Sequence, residues 1–213
     1  MAALLTLTSC ERVNDKVFEA RCEASLPHAL VEVETLPVEF SVDHTKSVAE
    51  LTQLYPPEYP GLVLGITRAE LTKDITFDNS GLEQPFGGRL CVRPRVKVVL
   101  SFKPMQVLLA SDFPENTCKF NEVYNHELRH VNAYIDYLPL VAQEVQEQLT
   151  EALGTNIHYF EDSAEAQRTF ETLLNSMWMP YLTAKMEQVE AEQQKIDTIE
   201  EYSRLSRACG GGQ

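Results

Sequence analysis

From Phe120 to Leu138 the apolar side chains recur at three- and four-residue steps, through Val123, Tyr124, Leu128, Val131 and Ile135. Inside that run stands His126-Glu127-Leu128-Arg129-His130. The period describes one helix with an apolar stripe, and Asn116 or Thr117 is available as its N-cap. Residues four apart on a helix lie one above the other, so His126 and His130 can aim two imidazole nitrogens at one point. That is the spacing of two metal ligands on a rigid element. Glu127, one step round, stands beside the remaining coordination positions, where a carboxylate can take a proton from a metal-bound water. A chance match to this pattern in a chain with five histidines has a probability on the order of one in a hundred.

The rest of the chain must supply a domain around that helix. At 213 residues and 44% hydrophobic it can bury an adequate core. We expect one domain over residues 21–213, strand-rich in 21–115 and helical in 116–208, after an N-terminal segment of residues 1–20. The expected fold class is α+β: a small antiparallel N-terminal sheet, then the motif helix, then a long C-terminal helix packed back on it. Residues 29–35 and 38–42 alternate apolar with polar, the period of a half-buried strand. Residues 75–77 precede the turn signal Asp78-Asn79-Ser80-Gly81, and the β-branched run 92–102 ends near Pro104. Residues 47–54 can make a short helix, and the prolines of residues 55–61 require a loop. Pro139 is expected to kink or interrupt the motif helix, which resumes over 141–153 until Gly154 ends it. A second helical stretch runs from about 162 to about 207 with a break at Pro180. His28, His44 and His158 read as loop or surface residues, and Trp178 as a core plug.

With 18 Lys and Arg against 32 Asp and Glu the net charge is −14. Such a field repels phosphate backbones, so nucleic acid is not expected as a partner. Five cysteines, at positions 10, 22, 91, 118 and 209, lack the short paired spacing of a structural zinc site and read as disulfides. Leu7-Thr8-Ser9-Cys10 resembles the bacterial lipobox, which implies a lipid anchor on Cys10 and a periplasmic or secreted location. Topology then suggests Cys91 with Cys118, joining sheet to motif helix, and Cys22 with Cys209, joining the domain ends, with Cys10 left outside.

A third ligand is not written into the motif. The extended pattern that adds a glycine and a further ligand after the pentapeptide would need Gly at 133, where Ala133 stands. Asp136 on a continuing helix points away from the histidine face. A later antiparallel helix could instead supply a Glu. The strand-rich first half, the cysteine shortly before the motif and the closing stretch Gln194-Lys195-Ile196-Asp197-Thr198-Ile199-Glu200-Glu201-Tyr202 resemble a bacterial family of secreted, predicted zinc-dependent proteases. That resemblance implies Asp197, Glu200 and Glu201 as candidates for the third zinc ligand or its supporting shell. Tyr202 stands where the family has His-Gly, and its hydroxyl could hydrogen-bond a developing oxyanion.

These readings converge on a zinc-dependent metallopeptidase acting on peptides or proteins, with His126 and His130 as ligands and Glu127 as general base. The alternative is a non-catalytic cell-envelope binding or scaffold protein with a structural or vestigial zinc helix. A structural site has no use for Glu127 and normally closes with four protein ligands.

Overall fold

The structure is a computed structural model, which describes residues 7–55, 61–78, 81–85 and 88–210. Its elements, in chain order, are α1 (Leu7–Ser25), β1 (Leu30–Thr35), β2 (Ser41–Asp43), α2 (Val48–Thr52), β3 (Gly65–Phe77), β4 (Gly81–Glu83), β5 (Leu90–Val92), β6 (Arg95–Leu109), α3 (Cys118–Leu153), β7 (His158–Phe160), α4 (Ser163–Leu173), α5 (Met179–Gln194) and α6 (Ile199–Arg207). The class is α+β, as the sequence predicts. Residues 56–60, 79–80 and 211–213, parts of the expected proline loop, the Asp78–Gly81 turn and the glycine tail, lie outside the described residues.

Two compact units share these elements: Met1–Val33, Ile75–Val98 and Glu144–Tyr181 in one, Glu34–Asp74, Val99–Gln143 and Leu182–Gln213 in the other. Each draws on both halves of the chain, so the change of period near residue 116 is not a structural division.

In the first unit β4, β5 and β7 form an antiparallel sheet in the order β4-β5-β7. Every residue of β5 is buried, and Phe170 of α4 packs its ring against Phe77 and Phe160. The helix α1, Leu7–Ser25, runs across the expected boundary at residue 20. Phe18 and Cys22, four apart and therefore on one face, are buried in a cluster with Cys91. A Cys22–Cys91 disulfide fixes that contact.

The second unit is built on the longer strands. β6, whose residues up to Val98 belong to the first unit, alternates buried and half-buried positions there, the sign of a strand covered on one face. It pairs with β3, and its C-terminal end runs parallel to β2, Ser41 opposite Gln106 and Asp43 opposite Leu108. Pro104, which is exposed, does not end β6, and the strand continues to Leu109. Ser47 caps α2 through a full capping box with Glu50, which seats Leu51 in a cluster with Val63, Ile66, Leu108 and Ala110.

The motif helix α3 begins at Cys118 and passes through Pro139 without interruption. Pro139 is exposed, so water can satisfy the carbonyl that its missing N–H leaves free. Gly154, at φ +65°, ends the helix, with its N–H bonded to the Thr150 carbonyl. The expected long C-terminal helix is three pieces. A π-helical turn at Leu174–Trp178 precedes Pro180, and a second break at residues 195–198 separates α5 from α6. Trp178 is buried, as a core plug should be.

The predicted disulfides Cys91–Cys118 and Cys22–Cys209 do not form. The pairs are Cys22–Cys91 and Cys118–Cys209, with Cα separations of 6.3 and 5.7 Å. The expectation failed because it treated the chain ends as neighbours, whereas α1 packs on β5 and α6 ends beside the start of α3. Two disulfides indicate an oxidising, extracytoplasmic environment. Among the described residues no helix is long and apolar enough to cross a membrane.

Candidate metal centre

The apolar stripe of α3 carries the polar pair into the interior. His126, Glu127 and His130 are buried beside Val123, Val131, Tyr134 and Leu138 on the same helix face. α5 and α6 lie antiparallel to this stretch. Side-chain hydrogen bonds pair Tyr137 with Gln188, Tyr134 with Glu190 and His130 with Gln193, so the partner's number rises as α3 is followed backwards. Continuing the series, the break after α5 arrives opposite His126. There Asp197 sits, its Oδ1 3.1 Å from His126 Nε2 and 3.3 Å from His130 Nε2, with the two Nε2 atoms 3.2 Å apart.

Local chemistry explains why the chain turns at that point. The N–H groups of Lys195 and Ile196 bond three residues back, tightening the end of α5, and Thr198 Oγ1 accepts from the Glu201 N–H to start α6. Asp197 is the residue between one helix's end and the next one's cap. Thr198 and Glu201 have the spacing of a capping box, but Glu201 does not turn back to its helix terminus. Its carboxylate faces His126 Nδ1 at 3.2 Å and pairs with Arg129 and Arg204. Arg204 in turn reaches Glu122 on α3 at 2.6 Å.

His126, His130 and Asp197 form a group that could hold a metal ion. The fit is geometric: donors at three corners of a tetrahedron with bonds of about 2.0–2.1 Å lie roughly 3.3–3.4 Å apart, close to the three separations here. It is also chemical. His130 Nδ1–H can donate to Gln193 Oε1, 2.6 Å away, which leaves its Nε2 lone pair directed at the common point, while His126 Nδ1 lies between the Glu201 carboxylate at 3.2 Å and an Arg129 Nη2–H donor at 2.8 Å.

Ionisation follows the same contacts. Burial opposes the charge on Asp197, but hydrogen bonds from both histidines, with one from Tyr202, hold its carboxyl well below the usual range. Burial disfavours the His130 cation, yet Asp197 and Gln193 outweigh it and raise the ring's affinity for a proton. Glu127 is raised, chiefly by burial, against a Thr67 hydroxyl that donates to its Oε2 at 2.8 Å. Its carboxylate lies against Gly65 of β3, where a Cβ would come within 2.5 Å of Oε1.

Of the candidates from the sequence, His126, His130 and Asp197 meet at one point, Glu127 lies beside them, and Glu201 contacts His126 from behind. Glu200 is exposed in the first turn of α6 and outside the group, because it points one residue away from Glu201's side of the helix. Tyr202 borders the group, its ring 6.3 Å from that of His126. Asp136 is exposed and takes no part. Gln193, Thr67 and Gly65 were not anticipated: nothing in their local sequence distinguishes them, and only the pairing of α3 with α5 and β3 gives them roles.

The group opens into a cavity of about 830 Å³ bordered by β3, α3, α5 and α6. Compared with family models, curated proteins and solved structures, the chain matches none. What the site can do therefore follows from its geometry.

Proposed function

We propose that the chain is a zinc-dependent metallopeptidase. The observation that carries this reading is Glu127: a buried carboxylate adjoining two histidines and an aspartate, held by Thr67, and facing an open cavity. A structural metal site would leave such a group without purpose at a desolvation cost of several kcal/mol. His126, His130 and Asp197 would hold the zinc. Zinc held there would acidify a bound water and polarise the scissile carbonyl.

The remaining work falls to the chain's own side chains. Glu127, whose affinity for a proton burial raises, takes the proton of the attacking water and passes it to the leaving amine. Tyr202, 42% exposed at the cavity's edge, would have to release Asp197 to donate its hydroxyl to the developing oxyanion. Thr67 and Gly65 set the Glu127 carboxylate in place, and Glu201 and Gln193 fix the two imidazole rings. Peptides or proteins are the substrates on this reading, and the disulfides fit a periplasmic or secreted setting, with a lipid on Cys10 as its anchor.

The test is direct. Purified protein is expected to carry about one zinc per chain, lost in the His126→Ala/His130→Ala variant. Glu127→Gln should keep the metal and lose peptide hydrolysis by at least about 10²-fold, while Tyr202→Phe should lower kcat more than it raises KM. Metal bound at full stoichiometry without turnover of any peptide in the unsubstituted protein would sink the peptidase reading in favour of a scaffold.

A further inference from the structure

We infer that Lys119 reads a carboxylate on the substrate, about three residues from the scissile bond. The inference rests on the peptidase reading and names the substrate class of that site.

Lys119, Val123, His126, Glu127, His130 and Tyr134 all border the same cavity from one face of α3. His126 follows Lys119 by seven positions, which is almost two whole turns, so they share a face at about 10 Å along the axis. An extended peptide advances about 3.3 Å per residue, and three residues therefore span that interval.

Among the described residues bordering the cavity Lys119 is the only Lys or Arg, in a chain of net charge −14. Its ammonium is positioned before any substrate arrives: Nζ donates to the Leu205 carbonyl at 2.7 Å, near the C-terminal end of α6 where carbonyls lack helical partners. One carbonyl occupies one of three N–H donors. Val123 and Leu205 beside it are apolar and buried, which weakens screening of any charge placed there. At the opposite end of the cavity Glu190 accepts from the Tyr134 hydroxyl at 3.1 Å. The cavity is thus polarised, cationic toward the start of α3 and anionic beyond the metal group. A peptide lying along it is favoured with a carboxylate at Lys119 and penalised with one at Glu190. The carboxylate can be an Asp or Glu side chain or the peptide's own C-terminus.

The experiment measures binding separately from turnover. Zinc-loaded Glu127→Gln protein is titrated into fluorescent peptides in which a single Glu, Gln or Lys is walked along a neutral sequence, each made as C-terminal acid and as amide. Hydrolysis of the same peptides by unsubstituted protein locates the cleaved bond. Glu three residues from that bond, on one side only, is expected to bind about tenfold more tightly than Gln, the factor that about 1.4 kcal/mol confers. Lys119→Gln should erase the preference, Lys119→Arg should keep it, and Lys119→Glu should reverse it toward Lys. The Gln and Arg variants decide the matter if the Glu variant fails to fold. Preference for the acid over the amide, with no effect of internal Glu, assigns the carboxylate to the C-terminus. Equal binding of Glu and Gln peptides, or a preference that survives Lys119→Gln, overturns the inference while hydrolysis stands. Carboxylate-selective binding without hydrolysis overturns the peptidase reading and leaves Lys119's selectivity in place.

Discussion

A methyl group at position 65 would collide with the one carboxylate the proposed chemistry cannot do without. The Cβ of Gly65→Ala would press on Cγ, Cδ and Oε1 of Glu127, and a buried carboxylate has little room to retreat. We expect this variant to keep its zinc and lose about 10²-fold in turnover, the scale of a misplacement of about 1 Å. Zinc content and kcat/KM on one peptide check it. Glu201 permits a prediction in pH. Arg204 first, then His126 and Arg129, hold its carboxyl down to about 2 against burial. A depressed carboxyl contributes stability above its ordinary value of 4.5, and that contribution is lost as pH falls toward about 2. Thermal unfolding of metal-free protein should therefore fall more gently over that window in Glu201→Gln than in the parent, from a lower starting point near neutrality.

The break between α5 and α6 shows what elements disclose and what they conceal. Thr198→Ala removes the hydroxyl that receives the Glu201 N–H, and should cost about 1 kcal/mol of stability and weaken zinc retention, read by chelator competition. The signal for this break was in the sequence: Thr198 and Glu201 have capping-box spacing, preceded by an Asp. It was masked by the Glu- and Gln-rich stretch before it, whose helical propensity runs on without a proline or glycine. The motif helix was legible because His126, Glu127 and His130 fall within five consecutive residues of one periodic element, and Asp197 and Glu201 came into view through family resemblance. Gln193 and Thr67 were not legible, since a lone polar residue gains its role only from a partner some sixty residues away. The disulfides failed for the same reason: pairing is a property of topology, and α1 was not foreseen as an element at all.

At the scale of the molecule, the described site residues all belong to one unit and each disulfide lies within a single unit. The two bridges should separate by experiment. Cys22→Ser/Cys91→Ser is expected to lower stability by about 2–5 kcal/mol and leave zinc stoichiometry unchanged, whereas Cys118→Ser/Cys209→Ser should lower both stability and zinc affinity. Unfolding with and without zinc distinguishes them, and equal loss of zinc in both variants would contradict the division. The second bridge has one further consequence. Its cysteines lie 91 residues apart and bracket His126, Glu127, His130, Asp197, Glu201 and Tyr202, so this group of residues sits on a covalent ring. A ring cut once is still one piece. Cleavage of any single peptide bond between Cys118 and Cys209, as a neighbouring protease in an extracytoplasmic space could inflict, leaves both halves of the site attached to each other, and only a second cut or a reductant can part them.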